Sequence, residues 1–357
     1  MLRRLSVVTL LTLAVCDWAL AADRSSNVTI MTQNMDDGTD LSFIVAASMP
    51  NPPLTVADAV DLTYGELVAT KFEQRNAELA KQIALRKPDI LALQEASLWR
   101  TGTTPDNPTI PIVDEIASLM AALNAAGVPY DLGAVYTGSD LALPGNHVPV
   151  LRLTDRNALL TRSDLRRPDF HLSDIHSHVY SAAFPFGPFQ IHAGWISAMV
   201  HTGNEHFRLF TTHLQSPIPG IDAATQVQMA QARELIHELR NLTDPVVICG
   251  DFNSDAAHNH FLDDTATADL IQSAGYAEVW PLMHPTSDPG LTWPLYLEDQ
   301  VPPPSYFAPF GPKERIDLFF ERGMQRISID RVVTVMPSLA TPPYGSDHAG
   351  VIAVFRP

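Results

Sequence analysis

The sequence predicts an α/β protein in which two packed β-sheets form a sandwich with helices on both outer faces. Apolar runs of strand length alternate along the chain with amphipathic stripes at helical spacing. Several of the apolar runs end in an acid, an amide or a histidine, as 246–250 does at Asp251. The proline-rich pieces are short and lie between predicted strands, so a single large domain is expected from the 357 residues.

Each element is predicted from its local pattern. Helices are expected where apolar residues recur every three or four positions, at 71–86, 112–123 and 223–241. Strands are expected at 28–33, 90–94, 157–161, 193–200, 207–213, 246–250, 315–321, 327–335 and 349–355. The helical stripes are better explained as core faces than as ligand sites, so the candidate functional residues lie at strand ends.

The first 22 residues have the pattern of an export signal. Arg3 and Arg4 precede an apolar stretch at 5–15, and Ala19-Leu20-Ala21 supplies small residues for cleavage. We therefore expect 1–22 to be a signal peptide, 23–357 to be the mature catalytic domain, and the protein to be secreted or periplasmic. A lipid anchor at Cys16 is the less favoured alternative, because a bulky valine precedes that cysteine.

Charge and cysteine content limit the classes of function. The formal net charge is −17, and only four lysines are present. This balance argues against tight electrostatic capture of DNA or RNA, but it leaves a nuclease open because bound cations offset local charge. Removal of 1–22 would leave Cys249 as the only cysteine, which excludes an intramolecular disulfide and indicates a small core residue. No pattern suggests a stable protein partner, so a monomer is expected.

Polar side chains at strand ends form the candidate active site. Asp251 and Asn253 are two residues apart, so in an extended chain they face the same pocket. Other predicted strands end at or border Asn34, Glu95, His213, Asp317 and His348. Each has a simpler explanation when taken alone, since Asp and Asn form turns, a glutamate can cap a helix, and most histidines are ordinary polar residues.

This set of side chains suits the hydrolysis of a phosphate ester. Such a reaction needs charge neutralisation on the non-bridging oxygens, an activated water and assistance to the leaving oxygen. Carboxylate and amide oxygens suit Mg²⁺ or Mn²⁺, which are hard cations that keep several waters and take few protein ligands. Such oxygen ligands would therefore suit Mg²⁺ or Mn²⁺.

Six motifs in order resemble the endonuclease/exonuclease/phosphatase superfamily, which has the four-layer fold of deoxyribonuclease I. They are Thr32-Gln33-Asn34, Gln94-Glu95, Thr212-His213-Leu214, Gly250-Asp251-Phe252-Asn253, Arg315-Ile316-Asp317 and Ser346-Asp347-His348. Single motifs of this kind occur by chance, whereas six in order across 28–355 are specific. The resemblance implies a metal-dependent hydrolase with this fold, with Mg²⁺ or Mn²⁺ as the expected cofactor and a phosphate-ester substrate as the expected partner.

The resemblance also implies roles for the acidic and amide residues. Glu95 would be the principal metal ligand, and Asn34 would hold metal or phosphate beside it. Asp251 would activate or orient the attacking water, and Asn253 would bind the phosphate. Asp347 would be a supporting or metal-side carboxylate.

Two histidines would act on the phosphoryl group. By resemblance, His213 and His348 bind this group and carry charge or a proton in the transition state, and Asp317 fixes the tautomer of His348. Asp155 occupies the place of an acid that pairs with the first histidine in deoxyribonuclease-like members, although a surface turn explains it equally well. The neighbouring Arg156 or Asn157 could contact the phosphate.

The superfamily fixes the reaction better than the substrate. Nuclease-like hydrolysis of a phosphodiester is the first expectation, and the alternatives are a phospholipase C or sphingomyelinase-like activity and a phosphomonoesterase activity. A catalytically silent binding member is disfavoured because no expected ligand or histidine is missing. The aromatic segments 182–189 and 302–310 could enter a membrane or pack against the sandwich. The chain also carries an insertion at 36–69, whose loops would flank the pocket.

Overall fold

The computed structural model describes residues 27–49, 51–165, 170–187, 189–259, 261, 265–298, 307–336 and 341–357. The expected signal peptide with Cys16 and most of the 302–310 segment lie outside the described residues. No helix in these described ranges combines the length and the apolar character that a bilayer span requires.

The strands form two large mixed sheets and two small two-stranded sheets. They are β1 (Val28–Asn34), β2 (Ile90–Gln94), β3 (Leu98–Thr101), β4 (Ile110–Asp114), β5 (Tyr130–Leu143), β6 (Leu151–Arg162), β7 (His171–Val179), β8 (Phe184–Phe186), β9 (Phe189–Ile191), β10 (Gly194–Thr202), β11 (Glu205–His213), β12 (Val246–Asp251), β13 (Ala277–Glu278), β14 (Tyr296–Glu298), β15 (Phe307–Pro309), β16 (Asp317–Arg322), β17 (Gln325–Val332) and β18 (Gly350–Arg356). The first sheet has the order β17-β18-β1-β2-β6-β3-β4, with β5 also paired to β6. The second sheet has the order β13-β16-β12-β11-β10-β7, and β14-β15 and β8-β9 are small separate sheets.

The two large sheets pack face to face around a shared apolar core. Ile30 and Leu159 of the first sheet contact a cluster that includes Leu209, Cys249 and Phe319 of the second. Both faces of β2 and β12 are buried, which explains why these strands are continuous apolar runs in the sequence. Cys249 is completely buried, which confirms its prediction as a core residue.

Helices cover the outer face of each sheet. They are α1 (Ser42–Ser48), α2 (Val56–Ala69), α3 (Phe72–Arg86), α4 (Glu115–Ala125), α5 (Asp222–Leu239), α6 (Thr267–Ser273) and α7 (Trp280–Met283). Leu79 of α3 and Leu119 of α4 pack with Leu91 on the first sheet, and Leu235 of α5 packs with Ile248 on the second. The predicted α/β sandwich with helices on both outer faces is confirmed.

The 36–69 insertion folds onto the end of the first sheet. It contains α1 and α2, whose Ile44 and Val60 pack with Trp99 and Leu153. The side chain of Thr55 caps α2 by accepting a hydrogen bond from the backbone N–H of Asp58 at 3.1 Å. The insertion therefore adds a satellite core beside the sandwich.

Some predicted boundaries shift in the structure. The helix expected at 112–123 begins only at Glu115, because Ile112 and Val113 belong to β4 and the Asp114 carboxylate caps the helix through the N–H of Ala117 at 3.2 Å. Strands β3, β5 and β7 were not predicted. The two register shifts along β5 interrupt the alternation by which a strand is recognised in a sequence.

Strand pairing brings the predicted motifs to one end of the sandwich. The parallel pair β1 and β2 places Asn34 beside Gln94 at their carboxyl ends. The parallel pair β11 and β12 does the same for His213 and Asp251. Antiparallel β16 begins with Asp317 opposite Asp251, so its amino end meets the other strands at the same edge.

Candidate active site

An open pocket of about 300 Å³ lies where these strand ends meet. Most of the predicted site residues line it, namely Glu95, Asp155, His213, Asp251, Asn253, Asp347 and His348. The other two, Asn34 and Asp317, lie behind the wall and hydrogen-bond to lining residues. The structure therefore places all the predicted site residues together.

Asn34 joins the two carboxylates at the floor of the pocket. Its Nδ2 donates to Oε1 of Glu95 at 2.7 Å and to Oδ2 of Asp251 at 2.9 Å. Its Oδ1 accepts the N–H of Asp36 at 2.8 Å, which turns the NH₂ group, rather than the oxygen, toward the carboxylates. The second oxygen of Glu95 accepts the N–H of Asp37 at 2.8 Å. Asn34 thus fixes the orientation of both acids.

Backbone conformation aims the acids into the pocket. Gly250 precedes Asp251 at a φ of 142°, and a Cβ at this position would lie 1.9 Å from the carbonyl oxygen of Thr212. Only glycine therefore allows β12 to approach β11 so closely. Glu95 and Asn253 adopt left-handed φ values of 49° and 48°, a region that non-glycine residues seldom occupy outside special sites.

Both histidines face the Asp251 carboxylate. Nδ1 of His348 lies 2.8 Å from Oδ2 of Asp317, and its Nε2 lies 3.9 Å from Oδ2 of Asp251. Nε2 of His213 lies 3.6 Å from the same Asp251 oxygen and 3.8 Å from Oε1 of Glu95. The pocket thus presents two imidazole rings to one acid.

Opposite charges within the site offset the effect of burial on the pKa of most of its groups. Burial opposes the cationic form of His348, but the Asp317 carboxylate raises the pKa of His348 well above its usual value. Burial likewise opposes the charge on His213, whose pKa is nevertheless raised by Asp251 and Glu95. Burial would raise the pKa of Glu95, yet the two histidines lower it, whereas burial prevails at Asp251 and raises its pKa. The acids therefore favour the charged form of both rings, and the rings favour the charged form of Glu95.

One group of side chains fits a divalent cation. A ligand atom from each of Glu95, His213 and Asp251 lies within 4.8 Å of the others, and two of these residues offer the oxygen donors that Mg²⁺ and Mn²⁺ prefer. A second group of similar spacing is Asp251, Asp317 and His348. In that group Asp317 and His348 already bind each other, so the first group fits a cation better.

The family model of the Endonuclease/Exonuclease/phosphatase family matches residues 65–348, which is most of the chain. The chain belongs to this family. Its members are hydrolases that act on phosphate esters. No curated protein sequence matches the chain significantly.

Solved structures with this fold resemble the chain at low sequence identity. An endonuclease/exonuclease/phosphatase from Beutenbergia cavernae is 18% identical with a TM-score of 0.56, over 93% of this chain and 72% of that one. TDP2 of D. rerio, complexed with a single-strand DNA product, is 18% identical with a TM-score of 0.54, over 93% and 100%. The human Nocturnin catalytic domain, with a bound sulfate anion, is 18% identical with a TM-score of 0.51, over 92% and 94%. These similarities establish the fold.

Of the two neighbours Asp155 and Arg156, only Asp155 lines the pocket. Asp155 lines the pocket, but no hydrogen bond joins it to His213 within the described ranges; its charge contributes to the raised pKa of that histidine. Burial raises the pKa of Asp155 itself to about 6. Arg156 is not among the lining residues, because its guanidinium donates to the carbonyl of Ala96 and to the Asp114 carboxylate.

Trp293 is a pocket residue that the sequence did not reveal. It lies in a proline-rich piece between predicted strands, yet its Nε1 donates to Oδ2 of Asp347 at 2.8 Å. The other oxygen of Asp347 lies 3.9 Å from Nε2 of His348. Burial raises the pKa of Asp347 to about 8. A tryptophan in such a loop is the one signal that could have suggested this role.

Arg75 supports the site from beneath and was also missed. It is completely buried, its guanidinium donates to the carbonyls of Met35, Asp36 and Gly345, and it lies 3.3 Å from the Asp36 carboxylate. It therefore connects the loop after β1 with the loop that carries Ser346-Asp347-His348. In the sequence Arg75 is one of several charged residues in a helix, and nothing in the pattern distinguishes it.

Proposed function

We propose that this protein is a divalent-cation-dependent phosphodiesterase that uses water as the nucleophile. The observation that carries the proposal is the meeting of two elements in one pocket. Ligand atoms of Glu95, His213 and Asp251 lie within 4.8 Å of one another, and the 2.8 Å pair of His348 and Asp317 stands beside them. Glu95 supplies an anionic ligand for a cation, and His348 supplies a general acid held by Asp317; such hydrolysis requires both parts.

Asp251 is positioned to act on the attacking water. Its Oδ1 accepts the N–H of Asn253 at 2.8 Å, which leaves Oδ2 facing the two histidines and Asn34. The pKa of Asp251 is raised by burial, and a carboxylate whose pKa moves toward neutrality is a stronger base. In the proposed reaction this oxygen accepts a proton from the water as the water attacks phosphorus.

The histidines are assigned to the phosphoryl group. Nε2 of His348 would donate to a phosphoryl or leaving oxygen while Asp317 holds its Nδ1–H. Nε2 of His213 and Nδ2 of Asn253 are 3.1 Å apart and would contact the non-bridging oxygens together. A divalent cation held by Glu95 would neutralise the charge on those oxygens.

The proposal is tested by a substrate panel with purified protein, in Mg²⁺ or Mn²⁺ and again in excess EDTA. The panel contains plasmid DNA, RNA, sphingomyelin, inositol phosphates and simple aryl phosphodiesters. Nucleic acid is included because the D. rerio TDP2 structure holds a DNA product, although a net charge of −17 disfavours tight capture of a polyanion. Activity on a diester that EDTA abolishes is expected. Turnover that survives EDTA, or a panel without any turnover, would contradict the assignment.

We also propose that the chain is exported with removal of 1–22. The support is the sequence pattern of Arg3 and Arg4, an apolar core and Ala19-Leu20-Ala21. Mass spectrometry of the secreted or periplasmic fraction should find an amino terminus near Ala22 or Asp23. An acylated terminus at Cys16, or full-length chain in the cytoplasm, would contradict soluble export.

A further inference from the structure

We propose that an apolar groove beside the active site binds an aliphatic chain carried by the phosphodiester substrate. The groove has a volume of about 480 Å³, and its walls include Ile44, Val45, Leu143, Phe186 and Ile218. Volumes of this size are typical of sites for small-molecule ligands. The inference rests on the proposed phosphodiesterase function, because it names the substrate class of the same site.

The groove and the catalytic pocket adjoin each other. Leu41, Leu141, Leu153 and Ile191 line both of them, together with Asp40, Gln215 and Ser216. An ester substituent that leaves a phosphate held at the pocket can therefore extend along these shared residues into the groove. Since the substituent is covalently attached to the phosphate, its burial adds to the binding of the reacting group.

The chemistry of the walls favours an aliphatic chain over a nucleotide. No lysine or arginine side chain is among the lining residues of either space within the described ranges. A nucleic acid strand relies on such cations for its phosphates, and its base edges would lose hydrogen bonds against aliphatic walls. Trp99 in the wall already donates its Nε1–H to the carbonyl of Asp37 at 2.8 Å, so it offers the groove only apolar surface.

One wall of the groove lies outside the region that the family model matches. Ile44, Val45 and Val60 belong to the 36–69 insertion, whereas the family match begins at residue 65. The groove therefore depends on a part of the chain outside the matched region. This location separates the choice of substrate from the strand ends that carry out the chemistry.

The test is a chain-length series of 4-nitrophenyl alkyl phosphodiesters, from methyl to octyl, assayed with Mg²⁺. Each ester is kept below the concentration at which it forms micelles. Each added methylene should raise kcat/KM about fourfold until the groove is filled, which is the usual effect of burying one such group. Calorimetric binding of the matching alkylphosphonates gives a second measurement that needs no turnover. Their affinity should rise along the same series.

Two substitutions locate the effect. Val45→Asp places a charge in the groove, and it should lower the octyl-to-methyl ratio of kcat/KM at least tenfold while leaving the methyl ester within twofold of its original value. Val68→Asp is the matched control, because Val68 is on the neighbouring helix α2, is 62% exposed and does not line the groove. Ile218→Asp, in the part of the wall that follows β11, replaces Val45→Asp if circular dichroism shows that the first variant does not fold.

The possible outcomes distinguish a failure of the groove proposal from a failure of the phosphodiesterase proposal. If neither kcat/KM nor binding affinity changes with chain length, the groove proposal is wrong. Hydrolysis of the methyl ester in the same experiment would still support the phosphodiesterase proposal. Chain-dependent phosphonate binding that Val45→Asp abolishes, without hydrolysis of any ester, would support the groove and contradict the phosphodiesterase. A chain dependence that neither Val45→Asp nor Ile218→Asp alters would place the chain elsewhere and overturn the inference.

Discussion

Replacing Asp317 by asparagine tests how the site keeps His348 charged. The side chains are buried, with 0% of Asp317 and 6% of His348 exposed, and the hydrogen bond between them is 2.8 Å long. An asparagine can still accept the Nδ1–H through Oδ1, so the variant retains a neutral hydrogen bond and loses only the charge. A hydrogen bond to a charged group contributes about 1.5–3 kcal/mol, compared with about 1 kcal/mol for a neutral one.

The expected loss is therefore about 1 kcal/mol, with an upper limit of about 2 kcal/mol, which corresponds to roughly fivefold to thirtyfold in turnover. Removal of the whole ring in His348→Ala should cost about a hundredfold or more, because it deletes a proton donor of the transition state. The smaller loss in Asp317→Asn would show that the acid acts by holding and charging the ring. Equal losses in the two variants would refute that reasoning.

The same substitution predicts a change in how stability depends on pH. The raised pKa of His348 means that the folded protein binds this proton more tightly than the unfolded chain does. Its contribution is fully present below the ordinary histidine pKa of about 6.5 and is lost as pH rises through the folded value. The difference in unfolding free energy between wild type and Asp317→Asn should therefore be large at pH 6 and shrink toward pH 9.

Urea unfolding in EDTA at these two pH values measures the difference, and an NMR titration of the His348 ring reports its pKa directly. Asp330→Asn is the matched control, because Asp330 is an exposed strand acid away from the pocket. In this control the pKa of His348 should equal the wild-type value. An unchanged pKa of His348 in Asp317→Asn would contradict the assigned pairing.

Three other outcomes follow from the structure. Glu95→Gln should weaken Mg²⁺ binding at least tenfold with the fold intact, because the cation site loses an anionic ligand; unchanged affinity in a calorimetric titration would remove Glu95 from that site. His213→Ala should lower turnover about a hundredfold, and near-normal rates on the best substrate would contradict its role. Glu66→Gln should flatten the pH dependence of the unfolding free energy. Burial raises the pKa of Glu66 to about 8, so the neutral form contributes stability that is lost as pH rises from about 4.5 through that value. The effect has an upper limit of about 5 kcal/mol, and equal slopes in urea unfolding of both proteins between pH 5.5 and 8 would refute it.

Much of the strand framework could be predicted because its central strands are buried on both faces. The sequences of β2 and β12 are almost continuous apolar runs, which predict buried strands. The polar residues at the ends of these runs mark where the chain leaves the core. β7, at the edge of the second sheet, was not predicted for the opposite reason. It is mostly solvent-exposed and rich in histidine, so neither a continuous apolar run nor a clean alternation is present.

Motif membership alone did not determine what each residue does. Arg315 stands in the same motif as Asp317, but its guanidinium is buried against Glu278 at 2.7 Å and donates to the carbonyl of Ala256. Gln94 likewise precedes Glu95, yet its side chain accepts from Thr32 and donates to Thr211 across the two sheets. These roles depend on which neighbour each side chain meets after folding, and a sequence does not state this.

The structure also explains why the sequence predicts the reaction more sharply than the substrate. The site residues are fixed by pairing between strands, and a change there would disturb the core on which the fold depends. The insertion is held by local contacts instead, since the Asp61 carboxylate on α2 accepts the backbone N–H groups of Asn146, His147 and Val148 beyond β5. Such contacts can be exchanged without moving any strand end. The groove that the insertion encloses is therefore free to differ between proteins that share the same strand-end residues, and substrate choice is expected to vary there.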